Sequence, residues 1–444
     1  MSSCATELSF KHVFLCLVLF CFALGLGFLL HLDIQFGVLF FFILLTSGLV
    51  LVYPLTFYLL FLSTLSLEGF AALEHISFTK IFGIIVLLSL ALKIFITREN
   101  IRLRDPFYIY FYAFVVTGLI SSLVAKDMVL SFTTLSTYIS LSFLYFITCY
   151  FVTNLKIFDG IIFLLILSTL AVTAFVQSMH LSIRNIDTWR VSSGLGDPNE
   201  FALFLLVLLP LAFYKILWSS VFAKVFSLLS FSLLLMLLLF TGSRGGMVAF
   251  CGMMIIFAHY FTKRYWQYLL LFVGIFVLLL CFFIPADVWN RLLMLNYFDA
   301  SNEFSSEIRL TFYKAALHMF RDHPFLGLGL HNFKTYALEY GTGKALVSHN
   351  TYLEVLSGGG ILHFIPFMLI LLLSWNRLKI KRYATPQLRD LAVCLKASLV
   401  AGLIGATFIT ADVKKILWIL FAFIASVYYI NLTISKKQVS NEHL

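Results

Sequence analysis

Three arginines and one histidine are the residues of this sequence best suited to chemistry on an anionic substrate. Arg190 precedes a glycine-rich turn, Arg244 lies in Thr-Gly-Ser-Arg-Gly-Gly, Arg309 lies in a long hydrophilic stretch, and His349 follows that stretch. A guanidinium is always charged and can grip phosphate with two hydrogen bonds, and an imidazole can exchange a proton near neutral pH. The combination predicts a phosphate-binding site with an acid–base group beside it.

The segment from Arg190 to Glu200 leads into an apolar run. Asp197, Pro198 and Glu200 have the spacing of a helix N-cap, a proline at N1 and a reciprocating glutamate at N3, so capping alone accounts for both acids. Capping does not explain Arg190 or Asn199. A glycine-rich turn before a helix suits a phosphate, because backbone amides and the helix dipole both attract it. We therefore include Arg190 and Asn199 in the candidate site.

Arg244 and Arg309 each have a functional and a structural interpretation. The glycines beside Arg244 indicate a tight turn, and its guanidinium could hold a ligand or anchor the chain to lipid phosphate. Arg309 lies in the first turn of a predicted helix, where it could grip phosphate or pair with Glu307 or solvent. Both arginines remain candidates for binding an anion.

His349 opens an apolar run that contains three glycines at 358–360. A lone histidine at a helix start is more often a cap, but His-Asn-Thr-Tyr followed by these glycines is an unusual way to begin a span. Glu354, about one turn into the run, would be costly against lipid and is expected to point inward. His349 is therefore a candidate catalytic residue, and Asn350 and Glu354 are candidates for contact with a substrate.

The composition identifies the bilayer as the main solvent of this chain. Its 444 residues are 61% hydrophobic and 12% charged, against roughly 45–50% and about 25% in soluble domains. The formal charge of +10 is divided among short basic clusters between apolar runs, which is typical of membrane orientation and not of nucleic-acid binding. The seven cysteines include no CxxC pair, so neither a disulfide framework nor a metal site is predicted.

The apolar runs predict an all-α, polytopic membrane bundle of about 12 to 14 transmembrane helices, because each span of about 20 apolar residues satisfies its own backbone groups. Near Pro54, the 36–66 stretch is either a short hairpin or one kinked helix, and the two choices differ in parity. The candidate spans are 13–30, 36–51, 52–66, 78–97, 107–124, 129–152, 158–177, 200–217, 222–240, 246–261, 266–284, 351–373, 391–410 and 416–434.

The distribution of Lys and Arg over the short connections predicts that both termini are cytoplasmic. The long loop then faces the periplasm, together with all four candidate site segments. The predicted organisation has about eleven spans in residues 1–284, a large periplasmic loop at 285–350, further spans at 351–434 and a cytoplasmic tail at 435–444.

The long loop contains a predicted amphipathic helix that Pro324 ends. Its apolar residues fall on one helical face, and we expect this face to lie on the membrane. The residues of that face are Ile308, Phe312, Ala315, Ala316 and Met319. The histidines at 318, 323 and 331 have no metal-ligand spacing and are interpreted as ordinary polar or capping residues.

Three segments resemble the O-antigen ligase and O-antigen polymerase superfamily of multispanning membrane enzymes. They are the stretch from Arg190 to Asn199 with Pro210 beyond it, the run from Arg309 through Asp322-His-Pro-Phe-Leu-Gly-Leu-Gly-Leu-His-Asn-Phe333, and Ser348-His-Asn-Thr-Tyr-Leu-Glu354 with its glycines. The ligase motif has His, then Asn, Ser or Gln, nine residues, Gly, two residues, and Gly, Thr or Tyr. His349, Asn350 and Gly360 comply, whereas the last place holds His363.

The resemblance implies a metal-independent, inverting glycosyltransferase of the GT-C type that needs no cofactor and works at the bacterial inner membrane. Its donor would be a glycan on undecaprenyl diphosphate, and its acceptor a sugar hydroxyl of lipid A-core or of another lipid-linked glycan. Arg190 and Arg309 would hold the diphosphate, and Arg244 is a possible third cation. His349 would orient or deprotonate the acceptor hydroxyl.

The acceptor distinguishes the competing functions. A ligase transfers glycan to lipid A-core, and the near match of the His349 motif favours it. A polymerase would transfer glycan to another lipid-linked repeat, and a peptidoglycan glycosyltransferase would depend on an acidic residue of the loop. A lipid-linked oligosaccharide flippase would need charged residues at mid-membrane depth, which are scarce here; Lys396 is the clearest, and it can extend to the membrane surface.

Overall fold

A computed structural model describes residues 54–68, 71–73, 76–98, 107–182, 190–195, 197–283 and 306–442. The predicted spans 13–30 and 36–51 lie outside the described residues, as do residues 285–305 of the predicted loop. The described chain is almost entirely helical, with one ribbon of two very short strands.

The helices are numbered here in chain order, and three 3-10 turns at Leu65–Leu67, Ser193–Leu195 and Ile380–Arg382 lie between them. The elements are α1 (Pro54–Ser63), β1 (Ala71–Leu73), β2 (Ile76–Ser77), α2 (Phe78–Thr97), α3 (Tyr108–Ser122), α4 (Met128–Phe151), α5 (Leu155–Ser182), α6 (Pro198–Trp218), α7 (Val221–Phe240), α8 (Arg244–Phe283), α9 (Ser306–Asp322), α10 (Phe333–Tyr336), α11 (Thr351–Arg377), α12 (Pro386–Gly405) and α13 (Lys415–Glu442).

Seven helices of the described residues are long and apolar enough to cross a membrane: α4, α5, α6, α7, α8, α11 and α13. Helices α1 and α3 are also apolar but shorter. The chain is therefore an integral membrane protein with a polytopic helical bundle, as the sequence predicts. Helix α6 lies deepest, with 83% of its apolar window buried inside the protein, because it is hydrophobic on all sides.

Helix α8 is a hairpin of two antiparallel helices. Tyr265 has non-helical torsions, φ −128° and ψ 30°. The ring centroid of Phe250 lies 5.8 Å from that of Phe272 and 5.1 Å from that of Phe276, whereas a straight helix would separate residues 250 and 272 by about 33 Å. The chain therefore folds back at Tyr265, between the predicted spans 246–261 and 266–284.

The described chain forms two compact units. The described residues of the first lie within 54–98, 150–182 and 192–195, and those of the second lie within 107–149, 190–191, 197–283 and 306–442. In the first unit, α1 packs against α2 and α5. In the second, α6 packs against α7 and α12, α8 packs against α12, and α11 packs against α3. The candidate site residues all belong to the second unit.

The glycines around Arg244 serve two purposes. Gly242 supplies the expected turn with φ +55°. Gly245 and Gly246 are helical, and a Cβ on them would lie 2.7 Å from Phe408 and 2.9 Å from Ala202. The tight-turn interpretation therefore applies to Gly242, while the other two glycines let α8 approach α6 and the connection at 406–414.

Helix α11 is broken at Gly360, where the backbone adopts φ +62° and ψ −170°. On the N-terminal side of the break, the carbonyls of Ser357 and Gly358 accept hydrogen bonds from outside the helix. Leu328 N donates to Ser357 O over 3.0 Å, and Gly329 N donates to Gly358 O over 2.9 Å. The loop segment that follows α9 thus replaces the missing helical donors.

The same segment also supplies the missing acceptors. Ile361 N donates to Pro324 O over 2.8 Å, and Leu362 N donates to Phe325 O over 3.3 Å. Residues 324–329, named here the insert segment, therefore fill the break in α11 from both sides. In a membrane-embedded bundle this exchange is needed, because an unpaired backbone group there costs several kcal/mol.

Helix α9 is amphipathic, but its predicted apolar face packs against the protein itself. Phe312, Ala315, Ala316 and Met319 are at most 1% exposed. They form a cluster whose other buried members are Leu328, Phe333 and Ala337. The expectation that this face lies on the membrane is wrong, because the insert segment and the residues after it cover it.

We expect Gly327→Ala to destabilise the protein more than Gly341→Ala. Both glycines have a left-handed φ, +65° and +75°, but a Cβ on Gly327 would lie 2.3 Å from the Gly358 carbonyl oxygen, whereas none of the described atoms lies within 4 Å of one on Gly341. The torsional strain is about 1–2 kcal/mol at each site, and only Gly327→Ala adds a backbone clash. Thermal unfolding of the detergent-purified proteins measures the difference; equal melting temperatures would contradict the packing of the insert segment.

Candidate functional site

Three helices of the second unit begin beside one another. Ser243 Oγ, before α8, donates to Asn199 Oδ1 in the first turn of α6 over 2.8 Å. Thr351 Oγ1, at the start of α11, donates to Ile409 O over 2.8 Å. A small pocket is lined by Asn199, Ser243 and Ile409 among others. We name this region, formed by the starts of α6, α8 and α11 and the connection at 406–414, the helix mouth. Helix N-termini carry partial positive charge, so the region favours anions.

Arg190 joins the helix mouth through two hydrogen bonds. Its Nε donates to Thr241 O over 2.8 Å, and its Nη2 donates to Asn199 Oδ1 over 3.3 Å. The side-chain oxygen of Asn199 therefore accepts hydrogen bonds from both Arg190 and Ser243. The structure brings together the two predicted residues that capping leaves unexplained, and Arg190 connects the chain end of α7 to the start of α6.

The start of α6 has the cap that the sequence predicts at Asp197 and Pro198. Asp197 Oδ1 accepts from Asn199 N over 2.7 Å, and Pro198 occupies the first helical position, so the capping interpretation of Asp197 is confirmed. Glu200, in the first turn of α6, forms an ion pair of 2.5 Å with Lys414. Because Lys414 ends the connection between α12 and α13, this pair attaches that connection to α6.

Arg309 presents an unsatisfied donor. Its Nε is buried and has no hydrogen-bond partner among the described residues. Burial lowers the pKa of Arg309 and the positive charge of Arg244 acts in the same direction, while Tyr313 and Asp197 oppose them. The group remains a cation at neutral pH, because arginine titrates far above it. Two guanidinium groups thus lie within electrostatic reach of each other, an arrangement that a bound anion would stabilise.

His349 lies in the same electrostatic neighbourhood. Burial lowers its pKa, the charge of Arg309 lowers it further, and Asp197 raises it. The imidazole is therefore neutral at pH 7 and able to accept a proton. Its backbone adopts a left-handed φ of +50°, which is uncommon for a residue other than glycine. Arg309 thus responds to Arg244 and Asp197, and His349 responds to Arg309 and Asp197.

Asn350, and not His349, caps helix α11. Its Oδ1 accepts from Tyr352 N over 3.0 Å and from Leu353 N over 3.1 Å. This arrangement removes the structural explanation for His349 as a cap. It also gives Asn350 a helix-capping role, so its predicted contact with substrate stays a prediction.

Glu354 points inward, as the sequence predicts, and is only 1% exposed. Its Oε2 accepts from the backbone amide of Ser348 over 3.0 Å, and its Oε1 is buried without a hydrogen-bond partner among the described residues. The turn is closed further by Ser348 Oγ, which donates to Asn350 O over 3.0 Å. Glu354 therefore helps to fix the backbone conformation of the turn that contains His349.

Sequence reasoning missed a buried cluster of His331, Asp412 and Tyr138. Asp412 Oδ2 lies 2.7 Å from His331 Nε2 and accepts from Tyr138 OH over 2.5 Å. Burial disfavours the charged imidazole, but the attraction and hydrogen bond of Asp412 raise the pKa of His331 to about 9. Although burial acts to raise the pKa of Asp412, His331 lowers it. The two groups form an ion pair, so the interpretation of His331 as an ordinary polar residue is wrong.

His363 occupies the position where the chain departs from the ligase motif. It is fully buried and its ring stacks on Phe114, with centroids 4.1 Å apart. Its Nδ1 lies 3.1 Å from Thr117 Oγ1, and a Cβ on Gly118 would lie 3.2 Å from its ring. The departure therefore changes a contact between α11 and α3 inside the bundle and leaves the His349 turn intact.

Residues 228–368 match the family model described as O-antigen ligase. The match confirms the resemblance to the O-antigen ligase and polymerase superfamily and supports an O-antigen ligase-like function in general terms. It includes Arg244, Arg309 and His349, whereas Arg190 and Asn199 precede it and Asp412 follows it. The search of curated proteins gave no match.

We expect Glu354→Gln to unfold close to the wild-type temperature, and Glu354→Ala to be destabilised by about 1–3 kcal/mol. Glutamine retains an acceptor for the Ser348 amide, whereas alanine leaves that buried donor unpaired. Thermal unfolding in detergent measures both variants. An alanine variant as stable as wild type would contradict the hydrogen bond as a support of the turn, and a glutamine variant as unstable as alanine would show that the negative charge matters instead.

Proposed function

We propose that this protein is an inner-membrane glycosyltransferase that moves a glycan from undecaprenyl diphosphate to a sugar hydroxyl of lipid A-core, the reaction of an O-antigen ligase. The site would face the periplasm, with both chain termini in the cytoplasm. The near match of the His349 motif favours a ligase over a polymerase. The observation that carries the proposal is the half-buried Arg309 side chain, whose buried Nε has no hydrogen-bond partner among the described residues and which lies within electrostatic reach of Arg244 and His349.

The diphosphate would bind at the helix mouth. Arg309 would donate its buried Nε–H to a phosphate oxygen and, with Arg244, supply positive charge to the leaving group. Phosphate would also relieve the repulsion between the two guanidinium groups. In this proposal the arginines do the work that a metal ion does in other phosphate-leaving enzymes, and the first turns of α6 and α8 add the partial charge of their amides.

Arg190 would contribute from the edge of this site. Its hydrogen bonds to Thr241 and Asn199 fix its guanidinium at the start of α6, near the pocket that Asn199 and Ser243 line. We assign it two tasks: to hold the loop before α8 against α6, and to add charge toward the diphosphate. The side-chain oxygen of Asn199 accepts a hydrogen bond from Arg190, and the side-chain NH2 group of Asn199 would donate to the same ligand.

His349 would act on the acceptor. Its neutral imidazole would take the proton of the acceptor hydroxyl as that oxygen attacks the anomeric carbon of the glycan. The new glycosidic bond forms while the bond from the anomeric carbon to the phosphate oxygen breaks, and the electron pair leaves on undecaprenyl diphosphate. A single displacement of this kind inverts the anomeric centre, so the proposal needs no covalent glycosyl-enzyme intermediate.

We expect Arg309→Ala and His349→Ala each to reduce glycan transfer by about 100-fold or more. The controls are Lys344→Ala and His318→Ala, which remove an exposed cation and an exposed imidazole of the same loop. Each variant is expressed in cells that lack the chromosomal gene, and surface polysaccharide is examined on a gel, with membrane insertion checked by immunoblot.

The same gel distinguishes the acceptors. Loss of all polymer from lipid A-core, while lipid-linked chains persist, indicates a ligase, whereas a core that bears a single repeat indicates a polymerase. Normal transfer by Arg309→Ala or by His349→Ala would remove that residue from the mechanism.

The lowered pKa of His349 predicts a pH profile. Because the base must be neutral, kcat/KM should stay level down to about pH 6.5 and fall only below it. Asp197 raises the pKa of His349, so Asp197→Asn, which keeps a capping side chain, should move the midpoint of this fall to lower pH. Activity is measured on the purified, reconstituted protein, with Asp322→Asn as the control. A midpoint that stays in place or rises would contradict His349 as the base.

A further inference from the structure

Helix α9 has a second face, opposite the buried one, that nothing among the described residues covers. Leu310 and Leu317 are 54% and 50% exposed, and Lys314 and Arg321 are exposed between and beyond them. At 100° per residue these four side chains fall within about 60° of one another, so they form one narrow stripe. Arg321 also contacts its neighbour Asp322 over 3.4 Å, an exposed pair of little strength.

The stripe leads toward Phe325, which is 68% exposed. The backbone of Phe325 is fixed against α11, because its carbonyl accepts from Leu362 N. Leu362 and Ile365, the exposed side chains of α11 nearest to it, are 44% and 49% exposed. An apolar exposed side of a membrane span is the side that faces lipid. Phe325 therefore lies at the level of the lipid-facing residues of this span.

The length of α11 indicates how deep Phe325 lies in the membrane. At its C-terminal end Arg377 lies over the Phe107 ring, 4.0 Å from the centroid, and donates to Tyr145 OH over 3.1 Å. Lys379, Lys381 and Arg382 follow it in the sequence, and a basic cluster at the end of a span is typical of one membrane surface. From Arg377 to Leu362 the helix rises about 22 Å, less than the roughly 30 Å of hydrocarbon. Phe325 is thus inside the apolar layer, near its opposite surface.

We propose that the stripe of Leu310, Lys314, Leu317, Arg321 and Phe325 rests on the membrane surface, with its apolar side chains at the acyl boundary and its two cations on anionic phospholipid headgroups. The ligand is the lipid surface itself. Phe325 enters the apolar layer only three residues after α9 ends at Asp322, so the C-terminal turn of α9 lies at headgroup level. Leucines beside basic residues complement this boundary.

The contact would set the height of Arg309. Arg309 lies on the flank of α9 between its buried face and the stripe, so a helix seated on headgroups holds this guanidinium near the phosphate plane. A lipid-borne diphosphate occupies the same plane. The membrane contact itself stands independently of the proposed glycan transfer, and its test needs no substrate.

The test uses spin labels on single cysteines, introduced at 310, 317 and 325 in a variant whose native cysteines are replaced, with the protein in lipid nanodiscs. Collision with oxygen, which concentrates in lipid, is compared with collision with a water-soluble nickel complex. Position 365 is the lipid-facing control, and position 344 is the aqueous control. We expect positions 317 and 325 to resemble 365, with an oxygen-to-nickel ratio several-fold above that of 344, and position 310 to fall between them.

A ratio at 317 and 325 equal to that at 344 would overturn the proposal, because the stripe would then face water or an absent protein partner. The charge component is tested with Lys314→Gln combined with Arg321→Gln, and with Lys344→Gln as control. In nanodiscs with anionic lipid the double variant should lower the ratio at 317, whereas the control should not. The same ratio in anionic and zwitterionic lipid for the unsubstituted stripe would remove the cations from the proposal.

Discussion

The exchange of backbone hydrogen bonds between the insert segment and the broken helix α11 is the constraint on which the rest of this region depends. Where water is scarce, each amide and carbonyl freed at Gly360 must find a partner, and residues 324–329 supply partners on both sides of the break. This fixes the end of α9 and, through it, the position of Arg309. It also fixes α11, and the backbone of His349 lies directly before the N-cap of this helix. The insert segment thus supports the helices next to both Arg309 and His349.

The features that were predictable from the sequence are local ones. The Asp197 cap can be predicted from residues 197–200 alone, and the spans can be predicted from runs of apolar residues. The glycines at 358–360 predict an irregular helix, and the proline and glycines of the insert segment predict a chain without regular structure. Nothing in the sequence indicates that these two irregularities bond to each other, because their pairing depends on how the helices pack. The turn at Tyr265 has neither glycine nor proline, and only the gap between two apolar runs indicates it.

The buried ion pair shows the same limit. His331 and Asp412 are 81 positions apart, and neither has a local pattern that marks it as a partner of the other. For α9, the amphipathic pattern correctly indicates a buried face, but the pattern cannot specify whether lipid or protein covers it. The hydrogen bonds of Asn350 and Glu354 form a helix cap and support the preceding turn, and their predicted contact with substrate stays a prediction. The electrostatic influence of Arg244 on Arg309, and of Arg309 on His349, depends on tertiary packing that no local pattern specifies.

The left-handed torsion of His349 bears on what selects the residue at this place. Glycine would adopt this φ without steric penalty and asparagine with little penalty. Either residue would therefore cost the backbone less conformational energy at this position than histidine does. Helix initiation does not require it either, since Asn350 performs that task. Residues in such sparsely populated conformations cluster at functional sites, which is consistent with the role proposed for His349. Under that proposal, glycine or asparagine at position 349 would relieve backbone strain and remove the base at the same time.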